Sequence, residues 1–224
     1  MTAIKTPFHD KHFTGPRAWA SLVLASAIGL VFLGRTASAE PEPSAFVAAE
    51  LQVSAGKKTT LGLYLSAAEA YQKWKAAPDK VTVIDVRTPE EYAFIGHAEM
   101  ALNIPLAFVT YQRVNGKTEY GPKFNADFVK EVKSVAGPQD TLLVMCRSGD
   151  RSAMAVNQLA AAGFKNVHNI IDGFEGDKVT DPGSVFLGQR MKNGWKNSAP
   201  WTYSIDPEKI ILEEGRSKQT APEQ

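Results

Sequence analysis

A single cysteine lies between an apolar run and a polar loop with two arginines, in the segment TLLVMCRSGDRSAMAVNQLAAAG (141–163). The apolar run before Cys146 has the length of a strand, and apolar residues after the loop recur at helical spacing up to a closing glycine. Cys146 is therefore predicted at a strand end, just before a helix N-terminus. Free backbone N–H groups and the helix dipole converge there, and Arg147 and Arg151 add two positive charges. This pattern predicts a thiolate nucleophile rather than an inert core cysteine.

The loop after the cysteine is too polar for a core and has a glycine where a tight turn needs one. Its residues are Arg147, Ser148, Gly149, Asp150, Arg151 and Ser152. With Cys146, this loop resembles the active-site loop of the rhodanese sulfurtransferases. Two more blocks are similar to that family in order and spacing, VTVIDVRTPEEY (81–92) upstream and IDGFEG (171–176) downstream. The resemblance extends over about residues 61–202.

The resemblance implies a single α/β rhodanese-like domain with a mostly parallel central sheet flanked by helices. It also implies sulfane-sulfur transfer, in which the Cys146 thiolate takes sulfur from a donor such as thiosulfate. The resulting cysteine persulfide passes this sulfur to an acceptor such as cyanide or a thiol. Residues 147–152 are expected to bind the substrate, with loop amides and arginines facing the donor's negative charge. No cofactor and no metal are implied.

Asp85 ends a short β-branched run that predicts a central parallel strand over 81–85, and Arg87 follows it. Because the carboxyl ends of parallel strands lie at one sheet edge, both residues are expected at the edge that carries Cys146. The resemblance implies that they brace neighbouring loops. His97 is not predicted to serve as a base, because a thiolate stabilised by loop amides needs none.

The first 39 residues are typical of a cleaved secretory signal. Basic residues precede the apolar run 18–33, and Ala37 and Ala39 provide the small side chains that a signal peptidase recognises. The run is shorter than the roughly 20 apolar residues of a membrane-spanning helix. Cleavage is therefore predicted after Ala39, with the mature protein in the periplasm of a Gram-negative-type cell and without stable membrane association. An uncleaved membrane anchor is the alternative.

Charge and cysteine content limit the partners. The chain has 25 basic and 24 acidic residues. Cleavage of the predicted signal removes four basic residues and one acidic residue, so the mature protein has 21 basic and 23 acidic residues. A chain this close to neutral is not expected to bind nucleic acid. One cysteine excludes an intramolecular disulfide and a dithiol redox motif. The predicted partners are a small-molecule sulfur donor and acceptor, with an exported protein as a further candidate acceptor.

The remaining segments are assigned by composition. Residues 40–60 mix proline, acidic and small residues, which predicts a linker before a domain over 61–203. Residues 204–224 are predicted to form a C-terminal extension whose tail from Ser217 is disordered.

Two segments inside the domain carry weaker signals. The polar, turn-rich segment 108–124 predicts a connector with surface loops. Residues 177–193 are additional to the family pattern and follow the C-terminal end of a predicted strand. They are therefore expected to be an insertion near the pocket, with a solvated loop of no consequence as the alternative.

Two other functions are considered. Phosphatase or arsenate-reductase-like enzymes carry a loop with five residues between cysteine and arginine, whereas Arg151 is the fifth residue after Cys146. A loop one residue shorter argues against a group as large as phosphoryl. A non-catalytic binding module with this fold is the other alternative, and Cys146 with both arginines argues against it.

Overall fold

The computed structural model of the protein describes residues 53–212. A five-stranded parallel sheet forms the centre of this region. The strands are β1 (Tyr64–Leu65), β2 (Val81–Asp85), β3 (Leu102–Asn103), β4 (Ala107–Val114), β5 (Lys117–Phe124), β6 (Thr141–Met145), β7 (Val167–Ile170), β8 (Asp177–Lys178) and β9 (Arg190–Lys192). The central sheet has the strand order β1-β7-β6-β2-β3. This confirms the predicted α/β domain with a mostly parallel sheet.

Helices cover both faces of the central sheet. They are α1 (Ala67–Ala76), α2 (Pro89–Ile95), α3 (Phe128–Val135), α4 (Asp150–Ala161) and α5 (Trp195–Ser198), with 3₁₀ turns at Ala55–Lys57 and Pro207–Lys209. Helices α3 and α4 pack in one core cluster, and α1, α2 and α5 in the other. Strand β6 serves both clusters because its side chains alternate: Leu142 and Val144 belong to the first, Leu143 and Met145 to the second.

Capping boxes fix the starts of α1 and α2. Ser66 Oγ accepts a hydrogen bond from Glu69 N, and the Glu69 carboxylate accepts one from Ser66 N. Thr88 and Glu91 make the same reciprocal pair at α2, which starts with a proline. Helix α2 begins four residues after the end of β2, so this capping box holds Glu91 near the carboxyl end of that strand. The cysteine loop begins at the same sheet edge, after β6.

Strands β4 and β5 form a separate antiparallel hairpin. The prediction of surface loops for 108–124 is wrong, because eight residues on each strand pair in continuous register. Asn115 and Gly116 close the hairpin at positive φ, as a tight two-residue turn requires. Tyr111 and Tyr120 pack edge to face across the strands, with ring centroids 5.1 Å apart. Most of the hairpin is exposed on both faces, so no apolar alternation marks its strands in the sequence.

The expected insertion forms a local strand pair, whereas the C-terminal extension makes a bridge to the central sheet. Within 177–193, β8 and β9 pair antiparallel, and Arg190 Nη1 donates to Gly176 O at 2.5 Å. In the extension, Ile210 bridges to Asn103 of the edge strand β3.

Of the predicted linker, residues 53–60 are described, and they are held on the domain rather than loose. Thr60 N donates to Asn157 Oδ1 of α4 at 2.8 Å. The predicted signal (1–39) and the tail from Ser217 lie outside the described residues. Within 53–212, no helix combines the length and apolar character needed to cross a membrane.

The loop after β6 and the turn after β7 meet backbone to backbone. Gly173 has a φ of 62°, and a Cβ at this position would lie 2.5 Å from Cys146 O. Gly149 has a φ of 103°, and a Cβ there would overlap Ile171 O. Phe174 N donates to Cys146 O at 2.7 Å and closes the contact. Both positions therefore need glycine, for the backbone conformation and for space.

Replacing Gly173 by alanine is expected to lower the free energy of unfolding by about 2–4 kcal/mol, because left-handed strain adds to the backbone clash. Urea unfolding of the purified variant measures this loss. Gly163→Ala is the matched control, since its φ is 97° but no atom would lie within 4 Å of a new Cβ. It should lose about 1–2 kcal/mol from strain alone. Equal losses in the two variants would contradict the role given to the close approach.

Candidate active site

Cys146 directly follows β6, and its side chain is 1% exposed. Its Sγ accepts a hydrogen bond from Gly149 N at 3.1 Å and lies 3.4 Å from Ser152 Oγ. Gly149 is the N-cap of α4, so its N–H belongs to the unpaired amides at the helix start. The predicted position of Cys146 between strand and helix is confirmed. Its thiolate state stays a prediction.

Ser152 lies within the first turn of α4, fully buried, rather than capping the helix. Its Oγ is 2.6 Å from Oδ1 of Asn169, a fully buried residue of β7. The Asn169 amide donates to Lys57 O and Gly149 O, each at 3.1 Å. Sequence reasoning missed Asn169, and the available signal was a polar residue inside the short run VHNI (167–170), which forms β7.

Arg151 forms a bidentate ion pair with Glu91, in which Nη1 and Nη2 each donate to one carboxylate oxygen at 2.7 Å. The arginine side chain is 33% exposed and the glutamate side chain 24%. Burial alone would raise the pKa of Glu91, but the hydrogen bonds and charge of Arg151 outweigh it and lower this pKa below its ordinary value. Burial would lower the pKa of Arg151, and the contacts with Glu91, helped by the nearby Cys146, raise it.

The ion pair with Glu91 changes what Arg151 offers a ligand. The Glu91 carboxylate balances much of the arginine's charge, whereas the loop motif predicts that this charge faces the donor. Binding of the donor by Arg151 stays a prediction. Sequence reasoning missed Glu91, because its partner is 60 residues away in the chain.

The other loop residues face outward to different degrees. Arg147 is exposed, Ser148 is half-buried, and Asp150 is exposed at the first residue of α4. Ser148 Oγ donates to Asp150 Oδ2 at 3.4 Å. The structure thus brings Gly149, Ser152 and Cys146 together, and it places Arg147 at the surface of the loop.

Asp85 and Arg87 are fully buried and bonded to each other. Arg87 Nη2 donates to Asp85 Oδ2 at 2.6 Å and to Gly96 O at 2.8 Å, and the guanidinium lies 4.1 Å from the ring centroid of Phe174. Phe174 in turn bonds to the backbone of Cys146. This chain of contacts links the loop after β2 to the cysteine loop without a side-chain contact to sulfur.

His97 is 2% exposed and stacks on Tyr92, with ring centroids 3.7 Å apart. Its Nδ1 lies 3.1 Å from Tyr92 O. Burial disfavours the charged ring and lowers the pKa of His97, against the opposing effect of its hydrogen bonds to backbone carbonyls. These contacts engage one face of the ring and its Nδ1. In residues 53–212, no three His, Cys, Asp or Glu side chains converge as metal ligands.

A cavity of about 280 Å³ lies between the start of α2, Arg151 and the β4–β5 hairpin. Glu91 and Arg151 line one side, and Phe108, Tyr120 and Pro122 are among its hairpin residues. The hairpin and Arg151 of the cysteine loop therefore line the same cavity. The expected insertion lines a different cavity, of about 520 Å³, and none of residues 147–152 takes part in that one.

The chain is similar in sequence to known proteins. Residues 66–179 match the model of the rhodanese-like domain family. The chain is 38% identical over 91 residues to the chloroplastic thiosulfate sulfurtransferase 16 of Arabidopsis thaliana. The matched segment covers 41% of this chain and 68% of that protein. It is 40% identical over 93 residues to thiosulfate sulfurtransferase 18 of the same plant, covering 41% and 62%. The chain thus spans less than two thirds of the second relative.

Among solved structures, the crystal structure of Rv0390 from M. tuberculosis is similar, at 24% sequence identity and a TM-score of 0.49. The similarity covers 62% of this chain and 96% of that one.

The ion pair generates a prediction on acid stability. Folding lowers the pKa of Glu91, so the ionised carboxylate adds to the free energy of unfolding. This contribution is complete at pH values above the ordinary pKa of a glutamate, and it is lost as pH falls through the lower pKa of the folded state. At neutral pH, Glu91→Gln should reduce the free energy of unfolding by about 1–2 kcal/mol. The difference between wild type and variant should shrink below about pH 4, measured by urea unfolding across pH.

Taking the difference cancels the effects of other acids, such as Asp172, whose pKa burial raises. The control is Lys130→Met, whose side chain is 84% exposed in its pair with Asp127 and should change stability little. A difference for Glu91→Gln that persisted unchanged into acid would contradict the ion-pair account.

Proposed function

Because the chain belongs to the rhodanese-like domain family, we propose that it is a sulfurtransferase that carries sulfane sulfur as a persulfide on Cys146. The observation that carries the proposal is the contact of Gly149 N with Cys146 Sγ at 3.1 Å, at the start of α4. Backbone amides at a helix start stabilise an anion without a counter-charge. A negative sulfur on Cys146 meets this environment before and after each transfer.

The proposed reaction has two displacement steps. The Cys146 thiolate attacks the outer sulfur of thiosulfate, the S–S bond of the donor breaks, and sulfite leaves with the electron pair. A thiophilic acceptor such as cyanide or a thiolate then attacks the outer sulfur of the persulfide. The Cys146 Sγ–S bond breaks, and the Cys146 thiolate is restored. No net electron source is needed, because sulfur moves at one oxidation level from donor to acceptor.

Burial of Cys146 supports a small reacting group. With 1% of the cysteine exposed, little of the sulfur meets solvent. The terminal sulfur of thiosulfate or of a persulfide is a single atom and suits this access. The names of the two plant relatives, both thiosulfate sulfurtransferases, support thiosulfate as the donor to test first.

Cys146→Ser is expected to abolish thiocyanate formation from thiosulfate and cyanide, because serine is a weaker nucleophile and stores no sulfane sulfur. The colorimetric thiocyanate assay measures this, and thermal melting checks that the variant is folded. Substantial activity in the variant would end the proposal for Cys146. A folded wild type without activity toward thiosulfate or any persulfide would favour the non-catalytic binding module.

Arg151→Ala is expected to lower kcat/KM with thiosulfate by about one to two orders of magnitude, from loss of a charge-assisted contact to the anion. An uncharged persulfide donor should lose much less. Steady-state kinetics with both donors measures the difference.

Two variants serve as controls for Arg151. Arg147→Ala should show a smaller version of the same donor dependence. Asp85→Asn should lower stability and affect both donors alike, since the buried Asp85 carboxylate is bonded to Arg87. Equal losses with both donors in Arg151→Ala, with a sharp fall in Tm, would make Arg151 a brace for Glu91 instead.

Export to the periplasm is also proposed, from the signal-like composition of residues 1–39. In a Gram-negative host, the protein of the periplasmic fraction should begin at Glu40 on N-terminal sequencing. The full-length chain in the membrane fraction would favour the anchor instead.

A further inference from the structure

We propose that Asn169 sets the direction of the Ser152 hydroxyl proton, so that Ser152 accepts a hydrogen bond from the Cys146 thiol instead of donating one to sulfur. Asn169 would then be a positioning residue that restrains the reactivity of resting Cys146. The inference deepens the proposed function and rests on it in taking Cys146 as the reacting group.

The orientation of the Asn169 amide follows from its neighbours. Its nitrogen lies 3.1 Å from both Lys57 O and Gly149 O. Backbone carbonyl oxygens only accept hydrogen bonds, so both N–H bonds of the amide are used there. The amide oxygen must therefore point the other way, toward Ser152.

The position of the Ser152 proton follows in turn. Ser152 Oγ and Asn169 Oδ1 are 2.6 Å apart, and two oxygens this close need a proton between them. Both amide protons of Asn169 are engaged elsewhere, so the proton is that of Ser152. A serine hydroxyl has a single proton. A lone pair of Ser152 Oγ therefore faces Cys146 Sγ at 3.4 Å.

Opposed influences then act on the same sulfur. The Gly149 N–H at 3.1 Å favours negative sulfur, whereas the Ser152 lone pair favours a sulfur that carries a proton. Ser152 and Asn169 are both fully buried, so no bulk water competes for these bonds. Asn169 also holds the carbonyl of Lys57, which ties the segment before β1 to this network.

The test is a double-mutant cycle on the alkylation rate of Cys146 by iodoacetamide at neutral pH. Asn169→Ala should speed alkylation about fivefold, because Ser152 becomes free to donate a hydrogen bond to the thiolate. A fivefold change in rate corresponds to about the net free energy of one hydrogen bond. Ser152→Ala should be no slower than wild type. In the Ser152→Ala background, Asn169→Ala should have no further effect.

A rate change of the same factor in both backgrounds would overturn the proposal and make Asn169 a general brace of the loop. A several-fold fall in Ser152→Ala would overturn it as well, because it would show that Ser152 donates to sulfur. This second result decides the matter even if Asn169→Ala does not fold. The control is Asn157→Ala, which releases Thr60 from α4 without touching Ser152 and should leave the rate unchanged.

Alkylation needs no sulfur donor, so the cycle is independent of sulfur transfer. A wild type that forms no persulfide would end the proposed function and still leave the hydrogen-bond assignment open to the same test.

Discussion

Backbone contact between the cysteine loop and the turn after β7 is the constraint on which the site depends. Gly149 and Gly173 leave room for this contact, and Phe174 N closes it on Cys146 O. The turn also gathers two helices, because the Asp172 carboxylate accepts hydrogen bonds from Ala67 N of α1 at 2.8 Å and from Gly194 N, which precedes α5, at 2.7 Å. Backbone contacts thus fix the position of the cysteine loop, and glycine is required where the two segments meet.

The electrostatics of the site are more balanced than two arginines next to a cysteine suggest. The Glu91 carboxylate accepts hydrogen bonds from Nη1 and Nη2 of Arg151, and Arg147 is exposed to solvent. Under the proposed function, the stabilisation of negative sulfur would fall mainly on the Gly149 N–H at the start of α4, which carries a partial charge and stays fixed during a reaction. The proposal thus assigns sulfur to the backbone and leaves the arginines to the charged remainder of a donor.

Local patterns predict much of this structure. The strand, loop and helix around Cys146 and the strand 81–85 are found where the sequence indicates them. Each depends on neighbouring residues whose spacing reports the local conformation. The hairpin was missed because its strands bury neither face, although its Asn115-Gly116 turn was visible in the sequence.

Contacts between distant residues could not be predicted in the same way. Glu91 and Arg151 are 60 residues apart, and Ser152 and Asn169 are 17 apart on different elements. Strand order and register bring these pairs together, and no spacing rule within the sequence reports them. These contacts change the expected roles of Arg151 and Ser152, so the loop motif alone predicted the position of Cys146 but not its electrostatic environment.

The most direct test of the account is mass spectrometry of the purified protein after exposure to thiosulfate. The account predicts that the peptide containing Cys146 gains the mass of one sulfur atom and loses it again when cyanide is added. A Cys146 peptide that stays unmodified under these conditions, in folded protein and with persulfide donors as well as thiosulfate, would contradict the claim that Cys146 carries sulfane sulfur.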